Sequence, residues 1–180
     1  MQGLILTSLG AVIVSLCLFF MPTYLNTFFH YPLDKLMFIP LIVGQWADHW
    51  SYLKVLRLGA LGLFLFSYLF YKAFGYHSLT LTVFSLIGLT VISSLVISVF
   101  TSLLVSLYPT AIRYSGVALV YNVGFALAGG LTPLAVTWLI RISGNPLIPG
   151  LYLMLFAGLA LFTSFFMRET RGTTTGYHFK

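Results

Sequence analysis

The sequence is poor in charge. Only 7% of its 180 residues are charged and 59% are hydrophobic, whereas a soluble domain carries about 25% charged residues because its surface must be hydrated. Three acidic and nine basic side chains cannot cover a globule of this size, so lipid is the expected solvent for most of its surface. Acids are the scarcest: Asp34, Asp48 and Glu169 complete the list. The net charge of +6 does not point to nucleic acid, because the basic residues stand singly, as cations flanking membrane helices do, and never form a run or stripe. Cys17, the lone cysteine, excludes an internal disulfide and a cysteine-based metal site. His30, His49, His77 and His178 have no metal-ligand spacing. No Ser/His/Asp or Cys/His arrangement and no glycine-rich phosphate loop occurs, so neither enzymatic chemistry nor a cofactor is expected. The first twenty residues, "MQGLILTSLGAVIVSLCLFF", lack a basic leader and a small-x-small cleavage site, so they predict a retained helix and not a signal peptide.

What is present is a set of long apolar runs. A helix rising 1.5 Å per residue needs about 20 apolar residues to cross about 30 Å of hydrocarbon. Segments 3–28, 57–74, 79–108, 116–140 and 147–167 meet that requirement, and the third is long enough to tilt. The stretch "PLDKLMFIPLIVGQWA" is different. Its charge-free part, Leu36 to Ala47, makes only about 18 Å of helix, and Pro40 removes a backbone donor near its middle. It reads as re-entrant, as interfacial, or as a crossing that recruits Leu33 and lets Lys35 snorkel. The fold class is therefore an all-α, multi-pass membrane bundle of five to six transmembrane helices, with 1–167 in the bilayer and 168–180 as a cytoplasmic tail. Lys54, Arg57, Arg113, Arg168, Arg171 and Lys180 fall on one side and Lys72, Arg141 and, if the short stretch spans, Lys35 on the other. The positive-inside rule then places loops 48–56 and 109–115 and the C-terminus in the cytoplasm of an inner (plasma) membrane protein. The N-terminus is inside for six crossings and outside for five.

One stretch carries more than hydropathy. "YPTAIRYSGVALVYNVGFALAGGLTPL" combines Pro109, Arg113-Tyr114-Ser115, Tyr121-Asn122, Gly129-Gly130 and Pro133. That combination closely resembles the region between the tenth and eleventh helices of the metabolite:proton symporters of the major facilitator superfamily, a group that includes proline/betaine, shikimate and alpha-ketoglutarate permeases. "MPTYLNTFFHYPLD" resembles the end of the seventh helix, "GQWADHW" the Gly-x-x-x-Asp-Arg loop between helices eight and nine, and "MRET" the exit of helix twelve. The resemblance covers nearly the whole chain, as helices 7–12 of the twelve-helix fold. It implies two inverted three-helix repeats, here about 3–74 and 79–167. The chain departs from the pattern in a shortened eighth helix and in the loop, where Gly44 and Asp48 remain but His49 replaces the arginine and Ser51-Tyr52-Leu53 replaces Gly-Arg-Arg.

The resemblance makes Gly44, Asp48 and Arg113 candidates for a latch, in which the aspartate pairs with basic groups and a neighbouring helix N-terminus. It makes Gly129, Gly130 and Pro133 candidates for a gating hinge. Asn122, beside Tyr121, is an amide in hydrocarbon and has to face other helices or a cavity. It lines a substrate path or bonds between helices. Thr90, Ser94 and Ser98 share one helix face at four-residue spacing. Such hydroxyls line a pore or bond back to their own helix. Gly124 to Ala128 and Ala126 to Gly130 give small-x-x-x-small spacing for close helix packing.

No carboxylate falls within an apolar run, although a proton-coupled carrier needs an ionisable group near the midplane. The expected function is that of the C-terminal half of a proton-coupled symporter for small organic solutes such as organic acids, proline or betaine. Its partners would be the lipid bilayer, the solute, and an N-terminal half or a second copy. The alternatives are an inactive truncated remnant and a structural membrane subunit.

Overall fold

In the computed structural model, residues 2–29, 52–76 and 78–167 are described. Their elements are α-helical, apart from two short π-helical segments. The first helix consists of α1 (Gln2–Val14), a π-segment (Ser15–Phe20) and α2 (Met21–Phe29), with a bend of 41° between Gln2–Cys17 and Met21–Thr27. After it come α3 (Tyr52–Phe74), α4 (Leu79–Ser106), α5 (Arg113–Gly124), a second π-segment (Phe125–Gly129), α6 (Gly130–Ser143) and α7 (Ile148–Phe166). Among the described residues, four helices are long and apolar enough to cross a membrane, or five when the bent first helix counts as one span. The short stretch 33–47, with Gly44 and Asp48, lies outside the described residues.

The ends follow from residue chemistry. Helix α4, about 42 Å long at the standard rise, stops at Ser106, three residues before Pro109, whose ring cannot continue the hydrogen-bond ladder. Gly144 ends α6 in the left-handed conformation (φ 64°), with its N–H donating to Ile140 O at 2.8 Å. Only glycine takes that conformation cheaply. Asn145 Oδ1 accepts the Leu147 N–H at 2.9 Å and Pro149 follows inside the first turn of α7, where a missing N–H costs nothing.

Cross-helix contacts fix the direction of each helix. Gln2 Nε2 donates to Phe166 O (3.3 Å) and Arg57 donates to Ser164 O (2.8 Å), while Gly3 packs against Tyr108. The start of α1, the start of α3 and the ends of α4 and α7 therefore share one face of the bundle, together with Lys54 and Arg113. At the opposite face, Tyr24 Oη donates to Pro146 O at 2.6 Å, near Lys72 and Arg141. Phe29 and Tyr52 consequently lie at opposite faces, and α1 begins on the same face at which α7 ends.

The core is apolar and aromatic, with Leu9, Leu16, Leu56, Leu63, Leu104 and Leu153 fully buried. Tyr24, Tyr71 and Phe74 meet edge-on, the Tyr71 ring 5.5 Å from Tyr24 and 5.4 Å from Phe74. The outside is also apolar: Phe84, Leu134, Trp138 and Phe162 are all more than 60% exposed. Large apolar side chains in that number on a surface require a lipid solvent. The molecule is a multi-pass membrane bundle.

Candidate functional site

Two helices widen midway along their length, and the widened turns lie side by side. In each, the backbone N–H bonds five residues back instead of four: Met21 N–H to Leu16 O in the first helix, Gly130 N–H to Phe125 O in the second. Such turns are frequent at functional sites. Each precedes a proline, Pro22 and Pro133.

Pro133 has no N–H, so Gly129 O, four residues back, has no donor from it. An unpaired carbonyl in hydrocarbon costs several kcal/mol. Two hydroxyls donate to carbonyls at this turn, and the second of them meets Gly129 O. Thr132 Oγ1 donates to Ala128 O within its own helix, and Ser15 Oγ crosses from the first helix to donate to Gly129 O at 2.8 Å. The helices come close enough for this because of two glycines. A Cβ on Gly124 would stand 2.5 Å from Thr7 Cγ2, and one on Gly129 would stand 3.3 Å from Ala11 Cβ. The packing pair is thus Gly124 and Gly129, five residues apart. Of the four-residue pairs expected from the sequence, Gly124 and Ala128 face the core, while Ala126 and Gly130, past the added residue of the wide turn, are exposed.

Beside this junction lies a groove of about 260 Å³. Ala11, Val14, Ser15 and Phe19 form one wall and Phe125, Gly129, Gly130 and Pro133 the other. Among the described residues, Ser15 provides the one polar side chain in the lining, and no charged side chain lines it. Phe19 is 71% exposed, so the groove opens on the bundle's surface. Phe125 stacks on Tyr121, with ring centres 4.4 Å apart at 21°, and Phe100 touches both from behind, at 6.1 Å and 6.4 Å.

The other candidate residues lie elsewhere. Thr90 Oγ1 donates to Leu86 O (2.7 Å), Ser94 Oγ to Val91 O (2.8 Å) and Ser98 Oγ to Leu95 O (3.1 Å), all bonds back to their own helix, and Thr90 is buried. Asn122 is exposed one turn before Phe125. Arg113 Nε donates to Tyr108 O at 3.2 Å, where a cation meets the negative end of α4. Its expected partner Asp48 lies outside the described residues. Arg57 does the same for α7 and also lies over the Phe165 ring, 5.2 Å from its centre. The expected gating residues Gly129, Gly130 and Pro133 are the ones that meet at the groove. Ser15, Phe19 and Phe125 were not singled out in the sequence. Within an apolar run, their only signal was the single hydroxyl of Ser15.

Comparison with known proteins finds relatives of the sequence. The chain is 30% identical over 182 aligned positions to the proline/betaine transporter of Escherichia coli, an alignment covering 92% of the chain and 36% of that protein. It is 29% identical, with the same coverage, to the glycine betaine/proline/ectoine/pipecolic acid transporter of Dickeya dadantii. It is also 40% identical over 63 positions, 35% of the chain, to the ectoine/proline transporter of Corynebacterium glutamicum. No protein-family model and no solved structure matches. The chain thus spans little more than a third of the length of these relatives, and along 92% of its own length it is similar to proline/betaine transporters, as a C-terminal piece of a major facilitator superfamily transporter would be.

Proposed function

We propose that the chain is one half of a secondary carrier for small zwitterionic solutes of the proline and betaine type, working with a second bundle that closes over the groove. The observation that carries this reading is the match to proline/betaine transporters along 92% of the chain. The groove supports it: two adjacent helices are interrupted at mid-depth and face outward. Carriers built from inverted repeats bind substrate near the midplane, at the interface between halves, where helices are discontinuous. The helix directions fit such repeats, since α1 begins at the face where α4 ends. The helix Arg113–Ser143 is the least covered of the spanning helices, and its bare side beside the groove is where a second bundle would dock.

Orientation follows from charge. Lys54, Arg57 and Arg113 share one face and Lys72 and Arg141 the other, which favours placing the first face, with the C-terminus, in the cytoplasm. Proton coupling needs an ionisable group that the described residues do not offer, so the complementary half would supply it. The test is uptake of radiolabelled proline and glycine betaine in a transporter-deficient strain. This chain alone should give background uptake. Co-expression with the N-terminal six helices of the E. coli relative should give uptake that collapses with the proton gradient. Background uptake in both arms, with the chain present in the membrane, would leave the inactive remnant as the reading.

A further inference from the structure

We infer that the groove between the widened turns is an aromatic seat for a methylated ammonium group, and that it orients a zwitterion with its cationic end against this bundle. The inference rests on the carrier reading for its biological meaning, but its binding chemistry can be tested separately.

The lining decides which end of a zwitterion is received. A carboxylate needs a guanidinium, an ammonium or a set of free N–H donors, and among the described residues none lines the groove. The charged side chains of the described residues are at the two faces of the bundle, and the Ser15 hydroxyl proton is committed to Gly129 O. The rings of Phe19 and Phe125 remain. Aromatic faces attract cations through their quadrupole, most strongly when desolvated, and quaternary ammonium groups are the ligands that such surfaces recognise. Phe19 and Phe125 come from opposite walls, and the stacked Tyr121 holds the Phe125 ring in place. A trimethylammonium group has no N–H to satisfy, so burying it leaves no unpaired donor. A primary ammonium would bring three N–H donors to a lining whose one polar side chain is Ser15, and an unpaired buried donor is costly. The volume of about 260 Å³ lies just below the range typical of drug-sized ligands and suits a small head group. The carboxylate would then point out of the groove, toward whatever packs on this side of the bundle.

The experiment uses the full chain purified in detergent, with ligand-observed NMR and tetramethylammonium as the probe. Tetramethylammonium should bind, and Phe19→Leu and Phe125→Leu should each weaken binding about fivefold, the loss of one cation–ring contact. Phe19 is largely exposed, so its substitution leaves the fold intact. Phe162→Leu, on the lipid side of α7, should change nothing. The uncharged-head isostere 3,3-dimethylbutanoate should fail to displace the probe. No probe binding, binding by both groove variants as tight as the parent's, or displacement by the isostere as effective as by glycine betaine would each overturn the inference. Betaine uptake with a complementary half but no tetramethylammonium binding would remove the seat and leave the carrier. Binding that follows the two phenylalanines without any uptake would keep the seat and remove the carrier.

Discussion

Two interfaces use the same device and reach different results. Helices α3 and α4 pack through glycine: a Cβ on Gly59 would stand 2.7 Å from Val96 Cγ2, and one on Gly62 would stand 2.9 Å from Ile92. Gly88 returns the contact, 2.8 Å from Phe70 by the same measure. Both helices stay regular along their length. The contact between α1 and the helix 113–143 is also made by glycines, yet both helices break pitch there. The difference is Pro133. Once a proline removes a donor, close approach has a second use, because it brings the Ser15 hydroxyl to the carbonyl left over. The first interface is held by packing alone. At the second, packing is joined by a hydrogen bond that compensates a defect, and a groove opens beside it.

This contrast can be tested in stages. The largest effect is expected at the regular interface. Gly59→Val drives a branched side chain into Val96 and its backbone, and should cost about 3 kcal/mol or more, read as a fall in thermal midpoint in detergent. A midpoint within 1–2 °C of the parent's would show that the α3–α4 contact is looser than described. Next is Ser15→Ala, which strands the Gly129 carbonyl and should cost about 1–3 kcal/mol. Its proper control is Pro133→Ala, which returns an N–H to the helix. In that background the Ser15→Ala cost should fall below about 0.5 kcal/mol, a coupling of the kind double-mutant cycles measure. Additive effects would mean that the hydroxyl does not compensate the proline.

A smaller effect is expected from Arg57→Gln, which removes the cation from the end of α7 and from the Phe165 face. The loss should be about 1 kcal/mol and should shrink with added salt. The smallest is Thr90→Val. Its hydroxyl serves only Leu86 O of its own helix, so the change should stay within about 0.5 kcal/mol, with uptake by a complemented carrier unchanged. A large loss of uptake would return Thr90 to the substrate path.

Much of the fold was readable before any coordinates, for a physical reason. Hydrocarbon forces each crossing to be a long apolar run with internally paired backbone, and that pattern needs no tertiary information to be seen. The predicted segments 79–108 and 147–167 differ from the observed helices by no more than two residues at either end. Pro109 and Gly144 explain their stops locally. The first helix ran as expected to its end near residue 28. Pro22 does not terminate it, because the widened turn just upstream has already relaxed the ladder that the proline interrupts.

The site was less legible. Gly129, Gly130 and Pro133 stood out as a cluster, but Ser15 lies 114 residues from its partner carbonyl, and no local rule links the two. The spacing rule for small residues also misled at Ala126 and Gly130, since it assumes 3.6 residues per turn and the helix adds one at Phe125–Gly129. Thr90 and Ser94 showed the opposite limit. Their even spacing is real, but a hydroxyl in a helix finds its own carbonyl before it finds a pore.

Residue chemistry alone established the solvent, the segments that meet it and the points where helices stop, because those depend on neighbours in the chain and on the dielectric around them. The three-dimensional packing settled which helices run in the same direction, that Gln2 and Phe166 share a face, and that the donor removed at Pro133 is replaced from the first helix. Those outcomes depend on contacts between residues far apart in the chain, and close approach at Gly124 and Gly129 is the condition that permits them.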